Sequence, residues 1–357
     1  MALDREQVMA ALRTVQDPEL FKDIVTLNMV KDVKVDGSSV RVLVELTTPA
    51  CPLKDTIRRD IEGALQRIGA KSVTVDFSAN QRNAPPTPQK DLLPQVKNVI
   101  AVGAGKGGVG KSTVAVNLAV GLQRTGAQVG LMDGDIYGPS MPTMLGIKGI
   151  VPQLSDNRIV PLYVHGIHAI TIGSLVEEDK PLIWRGPMAH SAFRQLFAEN
   201  AAWPELDYLI VDLPPGTGDV PLTLCQLLPL TGAVVVATPQ QVALDDCVRA
   251  VHMFETLNAP VLGIVENMSY FVGPDGKEFD IFGRGGAEQA AQSLGVPYLG
   301  AIPMFQELRI NSDAGNPTAN FEGPAKLKES IEQIVQSLVA QVKLRKMQTP
   351  SPELNIR

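Results

Sequence analysis

The sequence predicts a doubly wound, mostly parallel α/β sheet that follows a small α+β domain. Beyond residue 96, short and continuous apolar runs recur, which is typical of strands buried on both faces of a parallel sheet. Amphipathic helical patterns separate these runs, as expected of crossover helices that cover the two faces. The runs span residues 99–102, 129–132, 208–211, 233–237 and 261–265.

The first 80 residues follow a different pattern. Helical periodicity covers residues 4–15, and two alternating segments at 30–35 and 40–46 flank Asp36-Gly37, which is a tight-turn signal. The chain then returns to a helical pattern and to one more alternating segment, so a small α+β domain is predicted. This second helix and third strand are expected at residues 53–68 and 73–77.

A proline-rich segment at residues 81–95 predicts a linker between two domains, 1–80 and 96–347. Proline fixes φ and lacks an N–H donor, so this segment is unsuited to a sheet interior. The last helix of the larger domain is predicted at 324–347, before a polar tail at 348–357. We expect this helix to pack on its own domain rather than to bind a membrane.

The composition indicates an ordinary folded protein. Of the 357 residues 45% are apolar, and the formal net charge of −6 argues against a protein that coats nucleic acid. The three cysteines are odd in number and far apart, so no disulfide framework is expected. The start of the chain lacks the pattern of a signal peptide, and no apolar stretch is long enough to cross a bilayer. We therefore expect a cytoplasmic location and no nucleic-acid partner.

A phosphate-binding loop is predicted directly after the apolar run at 99–102. Its glycines allow successive backbone N–H groups to converge on phosphate oxygens at the start of a helix. In this pattern Lys111 reaches the β- and γ-phosphates of ATP, and the Ser112 hydroxyl binds Mg²⁺. The nucleotide-binding residues are Gly105, Lys106, Gly107, Gly108, Val109, Gly110, Lys111, Ser112 and Thr113.

Three carboxylates follow predicted strands, at the edge where open α/β sheets bind ligands. Asp212 is expected to hold Mg²⁺, and Asp133 to support the metal without binding it directly. Asp135 is a candidate for orienting the water that attacks the terminal phosphate. A single aspartate after a strand also commonly caps a helix, which is the alternative interpretation for each.

Longer motifs around these residues resemble the Mrp/ApbC family of iron–sulfur cluster carriers, homodimeric ATPases related to MinD and to the nitrogenase iron protein. The first domain is similar to the small PaaD/SufT-like domain that accompanies this ATPase, through Asp-Pro-Glu-Leu at 17–20 and Thr-Thr-Pro-Ala-Cys-Pro-Leu at 47–53. The motifs of the larger domain are Asp-Gly-Asp-Ile-Tyr-Gly-Pro-Ser at 133–140, Asp-Leu-Pro-Pro-Gly-Thr-Gly-Asp at 212–219, Glu-Asn-Met-Ser-Tyr-Phe at 266–271 and Ile-Phe-Gly-Arg-Gly-Gly at 281–286.

The resemblance implies a mechanism. Lys106 resembles the extra lysine of a deviant Walker A loop, which reaches across a dimer to the partner's nucleotide. A solvated lysine at a loop tip is the alternative. The catalytic residues implied by the resemblance are Lys106, Lys111 and Asp135. Asn267 is expected to contact the adenine, and the alternative is a structural turn residue. The implied partners are a second copy of the chain, apoproteins that accept clusters, and assembly factors.

The sequence departs from the family at the cluster site. The family's Cys-x-x-Cys, which binds a 4Fe-4S cluster between two subunits, is replaced here by Gly273-Pro274-Asp275-Gly276. Such clusters are held mainly by cysteine thiolates, so the shared cluster cannot form in the usual way. Cys51 is the candidate ligand, since it precedes a predicted helix whose N-terminus would lower a thiol pKa. A lone cysteine is also often an inert small residue.

Two other functions stay open on the sequence alone. The missing cysteine pair suits a MinD/ParA-like ATPase that organises other molecules in space. It also suits a cluster-free adaptor ATPase that works with a cysteine-bearing homologue. The preferred hypothesis is an ATP-hydrolysing homodimer that carries iron–sulfur clusters to apoproteins.

Overall fold

The computed structural model divides the chain into two compact units, Met1–Pro88 and Gln89–Arg357. Most of the predicted linker, the polar tail, Cys51 and the residues 17–20 lie outside the described residues. The structure describes residues 3–15, 23–26, 29–46, 54–79, 92–135, 138–156, 158–174, 193–194, 200–273 and 275–348.

The smaller unit is an α+β domain, as predicted. Its sheet has the order β1-β2-β3, with an antiparallel hairpin followed by a parallel pair. Asp4 caps the first helix by accepting a hydrogen bond from the backbone N–H of Gln7, so the helix begins at Arg5. The elements are α1 (Arg5–Leu12), β1 (Val30–Asp36), β2 (Ser39–Leu46), α2 (Lys54–Arg67) and β3 (Ser72–Ala79).

The main sheet of the larger unit has nine strands among the described residues. Seven strands run parallel in the order β14-β12-β11-β4-β10-β5-β9, and short antiparallel strands β13 and β8 lie at the edges. The strands are β4 (Val99–Gly103), β5 (Val129–Asp133), β8 (Leu162–Val164), β9 (Ile167–Thr171), β10 (Tyr208–Asp212), β11 (Leu230–Ala237), β12 (Val261–Val272), β13 (Glu278–Phe279) and β14 (Tyr298–Met304). A separate hairpin pairs β6 (Leu154–Ser155) with β7 (Arg158–Ile159).

Helices cover both faces of this sheet, which confirms the doubly wound prediction. Ile100 and Val102 of β4 pack into one apolar core with α3 and α9, whereas Val99 and Ala101 pack into a second core with α5 and α6. The helices are α3 (Lys111–Arg124), α4 (Met141–Met144), α5 (Asp219–Leu227), α6 (Gln241–Thr256), α7 (Gly286–Leu294), α8 (Gln306–Asp313) and α9 (Ala325–Gln348), with 3₁₀ turns at Ile172–Ser174 and Pro317–Phe321.

Three features extend the sequence-based description. Strand β12 continues to Val272, although its pairing with β14 shifts register between Asn267 and Phe271. The side chain of Leu93, inside the predicted linker, is buried in the second core. Within the described part of the chain, every helix is too short or too polar to cross a membrane.

Candidate functional site

The predicted phosphate loop connects β4 to α3. Gly108 and Gly110 have φ values of 81° and 80°, which residues with a Cβ rarely adopt. Gly110 is the N-cap of α3, and the helix begins at Lys111. The loop therefore ends at a helix N-terminus, whose free N–H groups favour an anion.

Close packing is a further reason why glycine is required at two positions of the loop. A methyl group on Gly105 would overlap the backbone oxygen of Asp246 in α6. A methyl group on Gly110 would overlap the amide nitrogen of Asn267, whose Nδ2 donates a hydrogen bond to the Val109 carbonyl at 2.8 Å. Asn267 is 3% exposed. It therefore fixes the loop backbone from β12, and its adenine contact stays a prediction.

Lys111 and Ser112 converge on Asp212 at the carboxyl end of β10. Lys111 Nζ lies 2.6 Å from Asp212 Oδ1 and 3.7 Å from Asp135 Oδ2. The Ser112 hydroxyl donates to Asp212 Oδ2 at 2.6 Å. Burial raises the pKa of Asp212, whereas the Lys111 ammonium and the Ser112 hydrogen bond lower it. The lysine and the hydroxyl that the sequence assigned to phosphate and Mg²⁺ thus share one carboxylate.

Asp133 lies beside this group at the end of β5, in register with Asp212. Its Oδ2 accepts a hydrogen bond from the Thr171 hydroxyl at 2.7 Å, and its Oδ1 accepts one from the backbone N–H of Asp135 at 3.1 Å. Burial raises the pKa of Asp133 to about 7, and repulsion from Asp212 acts in the same direction. Its contacts suit a group that supports the site from behind.

A small cavity of about 260 Å³ lies in front of the loop. Half-buried Lys106 lines it together with Lys111 and Asp135. Two lysines and one carboxylate therefore face the same space, which is the arrangement expected of a site for a phosphate chain and a cation. The complete lining is Lys106, Gly107, Gly108, Gly110, Lys111, Ser112, Thr113, Asp135, Ser140, Met144 and Pro215.

A large cavity of about 670 Å³ adjoins the small one, and the two share Thr113, Ser140 and Met144. Its walls are mostly apolar and come from four separated parts of the chain. They include Asn267, Met268 and Phe271 of β12 and the segment from the end of β14 through α8. The residues of that segment are Pro303, Met304, Phe305, Gln306, Leu308, Arg309, Ser312 and Asp313.

The sequence did not identify Thr171, Glu266 or the α8 wall as parts of this region. Thr171 could have been noticed as a polar residue at the carboxyl end of a parallel strand. Buried Glu266 accepts hydrogen bonds from the N–H groups of Gly285 and Ala287 and from the Ser269 hydroxyl. It anchors the start of α7, and only the folded chain brings these groups together.

The two described cysteines are buried, as expected for core residues. Burial raises the pKa of both Cys225 and Cys247 to about 12, so neither provides a thiolate near neutral pH. At the position of the missing cysteine pair, Gly273 and Gly276 close the turn between β12 and β13 through a 2.9 Å backbone hydrogen bond. Cys51 lies outside the described residues, so its role stays a prediction.

Two family models match consecutive parts of the chain. The model described as NUBPL iron-transfer P-loop NTPase matches residues 95–339, and the model described as iron-sulfur cluster assembly protein matches residues 5–77. The first covers the loop, both cavities and the three aspartates. The second covers the smaller unit and includes the position of Cys51.

Similar proteins extend over nearly the whole chain. An iron-sulfur cluster carrier protein of Deinococcus radiodurans is 47% identical over 95% of this chain and 96% of its own length. The carrier protein of Synechocystis is 46% identical over 96% of this chain and 99% of its own. The Escherichia coli carrier protein is 40% identical over 95% and 92%, respectively.

Solved structures resemble the larger unit. A nucleotide-binding protein from Archaeoglobus fulgidus, solved in complex with ADP, is 36% identical and has a TM-score of 0.60 over 68% of this chain and 96% of that protein. The septum site-determining protein MinD from Pyrococcus horikoshii, in complex with Mg-ADP, has a TM-score of 0.51 over 70% of this chain and 98% of its own. At 19% identity this second likeness concerns the fold alone.

Proposed function

The chain belongs to the NUBPL-type family of iron-transfer P-loop NTPases, and from this premise we propose that it binds and hydrolyses ATP as a homodimer that carries iron–sulfur clusters to apoproteins. The observation that carries the nucleotide part of this proposal is the convergence of Lys111 and Ser112 on Asp212, beside the small cavity. In this proposal the cluster is cargo that the protein passes on, and not a resident cofactor.

The phosphates of ATP would occupy the small cavity. The loop N–H groups and the N-terminus of α3 stabilise their charge, and Lys111 exchanges its carboxylate partners for phosphate oxygens. Asp135 lines the same cavity and is the candidate to orient the attacking water. The hydroxyl of Ser112 and the carboxylate of Asp212 form an oxygen donor set that suits Mg²⁺. When bound, Mg²⁺ neutralises charge that develops on the phosphates.

The nucleoside would extend into the large cavity. The two cavities share Thr113, Ser140 and Met144, so a ligand with its phosphates at the loop continues directly between these walls. The apolar side chains there suit the faces of a base, which gains affinity from burial of its aromatic surface. The ADP complex of the Archaeoglobus relative supports nucleotide binding by this chain.

Turnover measurements test the nucleotide proposal. We expect the full chain to release phosphate from ATP in the presence of Mg²⁺. Lys111→Ala should lower the rate by about a hundredfold or more, because one preorganised charge is lost from the transition state. Lys328→Ala, which removes an exposed lysine of α9, is the matched control. Equal turnover by the Lys111→Ala variant and the parent would disprove the assigned site.

The role of Lys106 across a dimer can be tested by mixing two inactive variants. A mixed dimer of Lys106→Ala and Lys111→Ala subunits has one site with an intact Lys111 and with Lys106 supplied by the other subunit. We therefore expect the mixture to regain ATP hydrolysis that neither variant has alone. If each Lys106 serves its own subunit, mixing restores nothing, and sedimentation with ATP then shows whether a dimer forms at all.

Anaerobic reconstitution with iron and sulfide tests the cargo. We expect cluster absorption and bound iron in the parent, with loss of both in Cys51→Ala. The double variant Cys225→Ala/Cys247→Ala is the control, because these thiols are buried and protonated. Full retention of the cluster in Cys51→Ala would remove Cys51 as its ligand. A parent that binds no iron would favour the spatial-organiser or adaptor function instead.

A further inference from the structure

A chain of three asparagines links the phosphate loop helix to the far wall of the large cavity. Asn311 Nδ2 donates to Asn320 Oδ1 at 3.0 Å, and Asn320 Nδ2 donates to Asn117 Oδ1 at 2.9 Å. Asn117 Nδ2 in turn donates to the Thr113 carbonyl at 2.8 Å. Every link is an amide N–H to an amide oxygen, so the three side chains form one directed series, which we call the asparagine chain.

Two members of the asparagine chain, Asn117 and Asn320, are buried. Asn117 is 2% exposed and Asn320 is fully buried. Phe321, the residue after Asn320, is also buried. A buried amide is costly unless its donor and acceptor are both paired. Removal of the Asn320 side chain would leave the oxygen of Asn117 and the NH₂ of Asn311 without these partners. Because that loss is costly, the asparagine chain holds its three members at fixed separations.

The ends of the asparagine chain lie at the nucleotide site. Thr113 follows Ser112 in the first turn of α3 and lines both cavities. Asn311 lies on α8, on which Leu308 and Ser312 line the large cavity. The series therefore fixes the distance between the helix that receives the phosphates and the helix that forms one wall of the large cavity.

We propose that Asn320 and Asn311 are positioning residues that set the affinity of the protein for the nucleoside part of its nucleotide. This inference rests on the proposed ATP-binding function. The α8 residues line the large cavity and are absent from the lining of the small one. Displacement of α8 should therefore weaken contacts to base and ribose while the lysines and the loop still hold the phosphates.

The test compares ATP with tripolyphosphate, which has the phosphates but no nucleoside. In Asn320→Ala we expect the Kd for ADP and the KM for ATP to rise about tenfold, from the loss of two hydrogen bonds that place the wall. The kcat at saturating ATP and the inhibition constant of tripolyphosphate should each change less than about twofold. Asn311→Ala, which removes only the half-buried end of the series, should raise the KM for ATP by a smaller factor.

Asn316→Ala is the matched control, because the exposed side-chain amide of Asn316 accepts a hydrogen bond from the Thr318 hydroxyl and is not part of the asparagine chain. Two results would overturn the inference. In the first, the KM for ATP of both Asn320→Ala and Asn311→Ala equals that of the control, and in the second, the binding of ATP and of tripolyphosphate is weakened equally.

If Asn320→Ala does not fold, the same measurements on Asn311→Ala decide. If tripolyphosphate does not inhibit the parent, a fall in kcat at unchanged KM overturns it. A parent that binds no ATP instead disproves the proposed function.

Discussion

The small and large cavities adjoin each other but are built from the chain in different ways. Seven of the eleven residues that line the small cavity come from one continuous stretch, 106–113. The walls of the large cavity come from four stretches, which extend from Thr113 to Asp313. Two lysines, one aspartate and three glycines line the first, whereas the surface of the second is mostly apolar. On the proposed assignment, a local motif is enough to specify the phosphate site, whereas the nucleoside site depends on how distant elements pack.

The largest expected loss of stability on substitution comes from the packing of the phosphate loop. Gly105→Ala should destabilise the protein by about 3 kcal/mol, because its methyl group meets rigid backbone of α6. Gly107→Ala is the matched control, since the nearest atom to its added methyl would be Pro215 Cβ at 3.9 Å. Chemical denaturation of both variants measures the difference. Equal stabilities would mean that the small cavity is less constrained by tertiary packing than the structure indicates.

The second prediction concerns the buried carboxylate of Asp133. The pKa of Asp133 is raised from 3.8 in the unfolded chain to about 7 in the folded one. The folded state thus binds a proton that the unfolded state has released, and stability falls as the pH rises from about 4 to about 7. Asp133→Asn has no carboxyl group to bind this proton. The free energy of unfolding of the variant relative to the parent should therefore increase as the pH rises across that range. Denaturation curves at several pH values in EDTA measure it, and parallel profiles would contradict the raised pKa.

The third prediction tests the packing around the large cavity. Gly146 and Gly315 both have a φ of 67°, and a methyl group on Gly315 would overlap the Gly146 backbone. Gly315→Ala should therefore cost about 2 kcal/mol and weaken ADP binding, since the contact joins the ends of α4 and α8. Gly295→Ala has the same φ of 67° but open space around it, so it should cost only about 1 kcal/mol. Calorimetric melts and ADP titrations of Gly315→Ala and Gly295→Ala distinguish the cost of the close backbone contact from the cost of backbone strain.

The smallest expected effect is at the rim of the large cavity. Arg309 and Asp313 form an ion pair of 2.6 Å on α8, but both side chains are 64% exposed. Solvent screening limits such a pair to about 0.5 kcal/mol. Asp313→Ala should therefore change the melting temperature very little, and high salt should remove even that difference. A loss as large as that from Gly315→Ala would show that surface charge, and not packing, holds the cavity wall.

Most of the fold followed from the sequence. The continuous apolar runs predicted β4, β5, β10 and β11 at nearly their observed positions, because strands buried on both faces need apolar residues at every position. The prediction for β12 ended at residue 265, since the polar residues that follow break the apolar run. Strand β14 was not predicted.

The local sequence alone was enough to predict the phosphate loop, because the spacing of its glycines, lysine and serine and the conformation of the glycines involve only a few neighbouring residues. The same holds for the positions of Asp133 and Asp212, since the ends of parallel strands meet at one edge of the sheet. Only the tertiary structure decided that Asn267 supports the loop backbone, that Thr171 bonds to Asp133, and that hydrogen bonds through Asn320 connect α8 to α3. Those contacts join residues far apart in sequence, and their existence depends on side-chain packing that no local pattern encodes.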